Sequence, residues 1–284
     1  MDGWHEVPVP DSPIHVYYQR LVPHEGKAYL FQGDKKIHVL DLETETWSTV
    51  MTKMKAGQRW PYQKNRCIRY VAEIHDGIIY VFGGADDMSA LGWDIFTSLD
   101  LKTLEWSLIS GSDRVVGTKD LPSLREHAAS WMVDGKMYVA LGCVNRSGAL
   151  VDRKPFGSKY DFSHGDLWSY DTRLKKWTDE KILGNGPSAR CEIAYCYNKK
   201  WDSAIIFGGY CADLPCFDIP ARLSFEYSYF ADTFMWSNKT SRWTNVVTRG
   251  FPTYRALAEL VTDEETGKTY LFGGCKLLQL KFYA

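Results

Sequence analysis

A short β-rich run that ends in glycine occurs five times along this chain of 284 residues. The copies are AYLFQG ending at Gly33, IYVFGG at Gly84, MYVALG at Gly142, AIIFGG at Gly209 and TYLFGG at Gly274. Their spacing of roughly 50 to 70 residues is typical of proteins that build one supersecondary unit per repeat. The chain is therefore expected to fold as repeated β-units that pack against one another.

A second pattern follows the first four glycine runs, in which a tryptophan comes six residues after the end of another β-rich run. The four pairs are Asp41 and Trp47, Asp100 and Trp106, Asp171 and Trp177, and Ser237 and Trp243. A fixed offset beside variable loops predicts a rigid hairpin, with each tryptophan packed beneath its own hairpin. With a further apolar run before each glycine run, the unit has four antiparallel strands, named a to d in chain order. Radial stacking of such units predicts a β-propeller.

The glycine runs, the Asp-to-Trp spacing and an arginine that leads each of the later repeats together resemble the kelch repeat. The resemblance implies an all-β, kelch-type β-propeller of four-stranded antiparallel blades. Departures occur at Gln32, Leu141 and Ser237, and the first repeat has no aligned arginine. The chain also resembles, more weakly, the kelch regions of larger fungal proteins that carry a MYND zinc finger, although no such finger is present.

The repeats predict a single domain over residues 1–284, with about five visible blades. Their expected bounds are residues 14–50, 66–110, 125–180, 190–247 and 255–284, with a lone outer strand at residues 4–9 around Trp4. One alternative is a five-bladed ring closed by that strand. The other is a truncated six-bladed ring, because the last nine residues, KLLQLKFYA, lack the signature of strand c.

Composition narrows the environment and the class of partner. The 34 Lys and Arg residues nearly balance the 35 Asp and Glu residues, so net charge favours neither nucleic acid nor an anionic membrane as partner. No apolar run is long enough to span a bilayer, and the first ten residues do not resemble a signal peptide. An odd count of seven cysteines predicts reduced thiols. We therefore expect a cytoplasmic or nuclear location.

The connections between strands predict where ligands bind. The a–b and c–d turns are short and share one face of the disc, whereas the b–c and d–a connections are long and share the other, which we name the long-loop face. Loops on a rigid scaffold are common binding sites, and aromatic residues are enriched at protein interfaces. The predicted contact residues in these loops are Trp60, Trp93, Tyr160, Tyr210, Phe217 and Tyr227. The alternative is that these rings pack the loops against one another.

Arginines recur near the start of strand a, at Arg66, Arg125, Arg190 and Arg255. Strand a is innermost in a propeller, so these residues are expected to ring the mouth of the central channel as one positive patch. Arginines at this position contact acidic peptides in kelch adaptors, and the resemblance implies a similar role here. Bidentate pairing with carboxylates supplies the physical basis. Alternatively, each arginine pairs with a neighbouring blade and joins the blades.

The favoured function is a non-catalytic module that binds a partner protein or acidic peptide, as part of a larger multidomain protein or complex. The alternative is a metal-dependent oxidoreductase or lyase with a metal in the channel, because the fold also carries such enzymes. The histidines show no paired spacing, and Cys191 and Cys196 lie five apart on a predicted strand, pointing to opposite faces. No cofactor or metal site is therefore predicted.

Overall fold

The computed structural model describes residues 12–13, 19–62, 66–85, 94–111, 120–145, 161–218, 222–250 and 252–275, with the backbone alone at 145, 161–162, 212–218 and 222–227. Across these ranges the regular structure is entirely β, and no helix is long and apolar enough to span a membrane. The predicted all-β propeller is confirmed.

Four complete blades each contain four antiparallel strands in the order a, b, c, d. The first comprises β1 (Leu21–His24), β2 (Lys27–Phe31), β3 (Lys36–Asp41) and β4 (Thr46–Met51). A two-residue strand, β5 (Lys53–Met54), follows it. The second blade comprises β6 (Val71–His75), β7 (Ile78–Phe82), β8 (Phe96–Asp100) and β9 (Glu105–Ser110). The strand β5 pairs parallel to β9, so the link between blades adds a fifth strand to the second blade.

The third blade comprises β10 (Ala129–Val133), β11 (Lys136–Ala140), β14 (Leu167–Asp171) and β15 (Lys176–Glu180). Its b–c connection contains a hairpin of β12 (Cys143–Asn145) and β13 (Asp161–Ser163). The short strand β16 (Leu183–Gly184) then pairs parallel to the fourth blade.

The fourth blade comprises β17 (Ala194–Asn198), β18 (Ser203–Phe207), β21 (Thr233–Ser237) and β22 (Arg242–Val246). Its b–c connection forms a hairpin of β19 (Tyr210–Asp218) and β20 (Arg222–Tyr229). In the fifth blade the structure describes strands a and b, β23 (Ala256–Thr262) and β24 (Thr269–Cys275). The predicted outer strand at 4–9 and the tail 276–284 lie outside the described residues. Ring closure, the choice between five and six blades, and the single domain over 1–284 therefore stay predictions.

The c–d hairpins owe their constant length to a side chain at the end of strand c. Asp41, Asp100 and Asp171 each accept hydrogen bonds from the backbone N–H groups two and three residues further on. This capping fixes the turn, in which the residue two before each tryptophan has a left-handed φ. The offset from aspartate to tryptophan is therefore set locally.

Three of the four strand-d tryptophans, namely Trp106, Trp177 and Trp243, pack between blades, and not beneath their own hairpins alone as predicted. The Trp106 ring lies 4.8 Å from that of Phe31, and the Trp177 ring lies 5.4 Å from that of Phe82, each in the preceding blade. Trp243 likewise lies 6.0 Å from Trp131 of the third blade. A ring on one face of a thin sheet is buried by the neighbouring blade, because each blade stacks on the next.

Candidate functional site

The innermost strands line a channel, and its mouth on the long-loop face carries an arc of four equivalent residues. Arg69, His127, Glu192 and Leu257 each have a left-handed φ between 51° and 62°. The backbone N–H of His127 donates to Arg69 O at 3.0 Å, that of Glu192 to His127 O at 3.2 Å, and that of Leu257 to Glu192 O at 2.9 Å. Four blades are thus joined backbone to backbone at the mouth, which is therefore a preformed opening.

A cavity of about 240 Å³ lies at this end of the channel. Its lining comprises Gln19, Arg20, Arg69, Tyr70, His127, Ala128, Glu192, Ile193, Tyr195, Leu257, Ala258 and Glu259. Both signs of charge are present, so the mouth is polar and is not the uniformly positive patch that the sequence predicted. Sequence reasoning missed these residues. His127, Glu192 and Leu257 each lie two residues after a repeated arginine. This shared position could have identified them from the sequence.

Arg20 reaches across the channel from the first blade. Its guanidinium carbon lies 4.4 Å from the centre of the Tyr195 ring, and its Nη1 donates to Glu259 Oε2 at 3.2 Å. These contacts join the first blade to the fourth and the fifth. Burial lowers the pKa of Arg20, but nearby Tyr195, Glu73 and Glu259 outweigh it and raise the pKa overall, so the charge is retained.

Two other titratable groups near the channel are strongly affected by burial. Burial raises the pKa of Glu73, while the charge of Arg20 and a 2.6 Å hydrogen bond from Ser130 oppose the rise. Burial, with a smaller contribution from Arg69, lowers the pKa of His127 to about 3. His127 is therefore neutral at pH 7 and offers the mouth a neutral ring.

Two of the four predicted arginines are buried, which overturns the expectation that they form a surface patch. Arg125 donates to Asp166 at 2.7 and 2.8 Å, and Arg190 makes the same bidentate pair with Asp232. The Arg125 side chain is 0% exposed. Each carboxylate belongs to the same blade as its arginine, so these pairs stabilise single blades and do not join neighbours. Their charge is already neutralised internally.

Arg66 is not at the equivalent position in the second blade. The isolated bridges Ile68 to Ala85 and Glu126 to Cys143 align Cys67, one residue later, with Arg125. The aspartate is replaced as well, because Ile95 O accepts from Gly83 where Asp166 O accepts from Leu141. Both Cys67 and Ile95 are buried in one apolar cluster. The second blade thus has an apolar pair where later blades have an ion pair.

Arg255 is at the equivalent position in the fifth blade and is half-buried. Its guanidinium donates to Thr253 O at 3.1 Å, Thr253 Oγ1 at 2.9 Å and Gly273 O at 2.8 Å. No carboxylate pairs with it among the described residues. Among the described residues, Arg255 is therefore the one of the three equivalent arginines that has no carboxylate partner.

The predicted aromatic contacts divide into those with described side chains and those without. Trp60 packs on Phe31 and donates to Gly33 O at 3.1 Å, so it holds the link between two blades. Tyr210 packs against Tyr229 across a hairpin at 5.4 Å. Trp93 and Tyr160 lie outside the described residues, as do the side chains of Phe217 and Tyr227. For Trp60 and Tyr210 the structure supports packing within the loops.

Within the described part of the chain no cysteine forms a disulfide; the cysteines with described side chains are Cys67, Cys143, Cys191, Cys196, Cys211 and Cys275. Burial and a hydrogen bond with Cys143 hold the pKa of Cys191 well above its usual value, with the hydrogen bond contributing most. Within the described ranges, no group of three or more His, Cys, Asp or Glu residues is arranged to hold a metal ion. No observation here favours the channel-metal enzyme.

This geometry defines a β-propeller of kelch repeats, with a polar channel mouth on the face of long connections. The chain belongs to the kelch-repeat family, because the family model described as the KLHDC2/KLHL20/DRC7 Kelch-repeats domain matches residues 18–274. It is similar to Kelch domain-containing protein 3 of Rattus norvegicus, with 26% identity over 246 residues that cover 84% of this chain and 53% of that protein. With the Homo sapiens protein of that name, identity is 28% over 204 residues, 69% of this chain and 44% of that protein. The chain thus spans about half the length of these relatives.

Proposed function

We propose that this protein is a non-catalytic interaction module that binds a segment of a partner protein at the long-loop mouth of its channel. Kelch domains generally mediate protein–protein interactions. The observation that carries the proposal is the hydrogen-bonded arc of Arg69, His127, Glu192 and Leu257 beside a polar cavity. A rigid opening reduces the entropy that binding must overcome.

We propose further that the bound segment carries an acidic side chain. Arg20 reaches the cavity, and its partner Glu259 is 60% exposed, so a ligand carboxylate can replace that contact. The Nε2 of Gln19 is buried beside the cavity and has no hydrogen-bond partner among the described residues. A carboxylate oxygen that entered the mouth would satisfy this donor, whereas an apolar ligand would leave it unsatisfied.

A role as part of a larger multidomain protein or complex, in the cytoplasm or the nucleus, completes the proposal. The odd count of seven cysteines supports a reducing compartment. The long relatives support a larger assembly, because this chain matches about half of their length.

Leu257 offers a test of the acidic ligand, because it lines the mouth at a φ of 56°. Asparagine and aspartate both tolerate that conformation better than leucine, so Leu257→Asn and Leu257→Asp should fold alike and differ in charge. A random dodecapeptide library would be panned against the wild-type protein. We expect acidic sequences to be enriched, and their affinity to fall about tenfold in the aspartate variant relative to the asparagine variant.

Arg173→Glu on the opposite face is the matched control, because Arg173 is exposed in the c–d turn of the third blade. It changes the net charge without approaching the channel and should leave affinity unchanged at moderate salt. Equal affinities of the two Leu257 variants would contradict a ligand at the mouth, as would a selection that enriches no acidic peptides.

A further inference from the structure

The channel has a second opening on the face opposite the long loops, which we name the short-turn mouth. A cavity of about 580 Å³ lies there. The a–b turns and the adjoining ends of the innermost strands of all five blades contribute to its lining. Arg20 lines both this cavity and the one at the long-loop mouth, so the two cavities approach each other at this residue.

The carboxylate of Glu73 lies near the inner end of this second cavity. Glu73 comes two residues before His75, the last residue of β6, so it lies about 7 Å below the turns at the usual rise of a strand. Its Oε1 accepts a hydrogen bond from Ser130 Oγ at 2.6 Å, and it forms no ion pair with the described residues. The side chain is half-buried and lines the cavity. The second carboxylate oxygen is therefore available to a ligand.

The charges around Glu73 favour a further cation. Arg20 is the cation that acts on Glu73, but its guanidinium is held elsewhere, with Nη1 3.2 Å from Glu259 Oε2 and its carbon 4.4 Å from the centre of the Tyr195 ring. One cation thus serves two carboxylates. Burial raises the pKa of Glu73, while Arg20 and the bond from Ser130 oppose the rise. A cation that entered the cavity would compensate this buried charge.

The wall of the cavity between the carboxylate and the turns is largely apolar. Val22, Ile74 and Val133 line it, and the carboxylates of Glu25 and Asp134 lie at the turns. A matching ligand therefore combines an apolar stem with a cationic end. A lysine side chain has this form, because its ammonium lies at the end of a flexible four-carbon stem that packs along apolar surfaces.

We propose that the short-turn mouth binds a primary ammonium group on an unbranched alkyl chain, the chemistry of a lysine side chain, with Glu73 as the counter-ion at its inner end. The ammonium donates to the second oxygen of Glu73, and the methylene groups pack against Val22 and Ile74. The site is independent of the acidic ligand proposed above, because its ligand enters from the opposite face and is recognised by a carboxylate.

Three pentapeptides, capped at both ends, test the chemistry of the ligand. One has a central lysine between glycines, the second has norleucine in its place and the third has diaminopropionate. Norleucine keeps the stem and lacks the charge, whereas diaminopropionate keeps the charge on a stem too short to reach Glu73. Each is titrated into the isotope-labelled full chain, and the amide NMR shifts of Glu73 and Ile74 are followed. We expect the lysine peptide to bind at least about tenfold more tightly than either control.

Two variants of the protein test the carboxylate. Glu73→Gln removes the charge and keeps an acceptor for Ser130, so it should weaken binding of the lysine peptide at least about tenfold. Glu180→Gln is the matched control, because Glu180 also accepts from a serine hydroxyl, Ser169 Oγ at 2.7 Å, but lies on the outer strand β15 and does not line the cavity. It should bind as the wild type does.

The same titration with n-butylamine distinguishes the two sources of such a group. Tighter binding of the lysine peptide would assign the site to a lysine of a partner protein, and tighter binding of n-butylamine would assign it to a small free amine.

Three results would overturn the proposal: no shift at Glu73 and Ile74 with the lysine peptide or n-butylamine, equal affinity for the lysine and norleucine peptides, or unchanged affinity in Glu73→Gln. The comparison of peptides uses the wild-type protein and does not depend on how the variant folds. Leu257→Asn should bind the lysine peptide as the wild type does, so a failure at one mouth is distinguishable from a failure at the other.

Discussion

At the scale of single residues, the buried arginine and its aspartate form a unit that the second blade replaces as a whole. Arg125 and Asp166 become Cys67 and Ile95, and the apolar pair is fully buried. Replacing both members of a buried ion pair by apolar residues is often neutral, whereas removing one member leaves a buried charge without compensation. The molecule therefore fills the same packing position in two ways, with an ion pair in the third blade and with an apolar pair in the second.

A comparison of two variants of the third blade tests this equivalence. Asp166→Ala should lower the free energy of unfolding by about 3–5 kcal/mol, because it leaves the Arg125 charge buried and unpaired. The double variant Arg125→Cys with Asp166→Ile should lie within about 2 kcal/mol of the wild type, since it copies the second blade. Urea unfolding measures both. A double variant that loses as much stability as Asp166→Ala would show that the two blades are not interchangeable at this position.

The same pair gives stability a defined pH dependence. Burial raises the pKa of Asp166, but the charge and hydrogen bonds of Arg125 outweigh burial and hold the pKa far below its usual range. The stabilisation is complete above the unfolded pKa of about 4 and is lost as pH falls toward the folded value. The difference in stability between wild type and Asp166→Asn should be constant from pH 7 to 5 and about 1 kcal/mol smaller at pH 3. A difference that does not change over this range would argue against the carboxylate as its source.

The arginines also show where residue-level prediction fails. The repeat of arginine near strand a was visible in the sequence, but its register was not, because the a–b turns differ in length. The turn between His75 and Ile78 has two residues, whereas that between Asn198 and Ser203 has four. Counting back from the glycines therefore cannot distinguish Arg66 from Cys67. Whether an arginine is buried against an aspartate depends on tertiary contacts, and residue spacing in the sequence does not reveal these contacts.

At the scale of elements, the d-strand tryptophans connect one blade to the previous one. Trp106 is fully buried against Phe31, whereas Trp47 of the first blade is partly exposed. Trp106→Ala should therefore cost about 3–5 kcal/mol as a large-to-small core change, and Trp47→Ala less than half of that. Thermal and urea unfolding of the two variants provide the comparison. Equal losses would contradict the role of the preceding blade in burying the ring.

Strands and hairpins could be predicted from the sequence where interactions between residues close in the chain determine them. The hairpin from Asp100 to Trp106 follows from hydrogen bonds within its turn, so the offset alone revealed it. The parallel strands β5 and β16 were not expected, because Lys53 and Leu183 pair with strands of the next blade. The hairpins within the long connections, such as β12 with β13, likewise lack a period that sequence reading could detect.

At the scale of the whole molecule, Arg20 connects blades that are distant in sequence. It belongs to the first blade, contacts Tyr195 of the fourth and pairs with Glu259 of the fifth. Its charge also lowers the pKa of Glu73 in the second blade, opposing the rise that burial causes. A charge in the channel thus balances a buried carboxylate and joins the two ends of the described arc of blades.

Removing Arg20 should therefore have a larger effect than removing its visible partner. Glu259→Gln should cost less than about 1 kcal/mol, because the glutamate is mostly exposed and exposed ion pairs contribute little. Arg20→Met should cost about 1–3 kcal/mol at pH 7, since it loses the Tyr195 contact and leaves buried Glu73 without a nearby cation. Its penalty should shrink as pH falls toward the raised pKa of Glu73, because protonation removes the buried charge. Urea unfolding at pH 7 and pH 5 measures the difference, and hydrogen exchange should show the loosening in β23 more than in β11. If the two variants lost the same free energy of unfolding at both pH values, Arg20 would contribute no more than an ordinary surface ion pair.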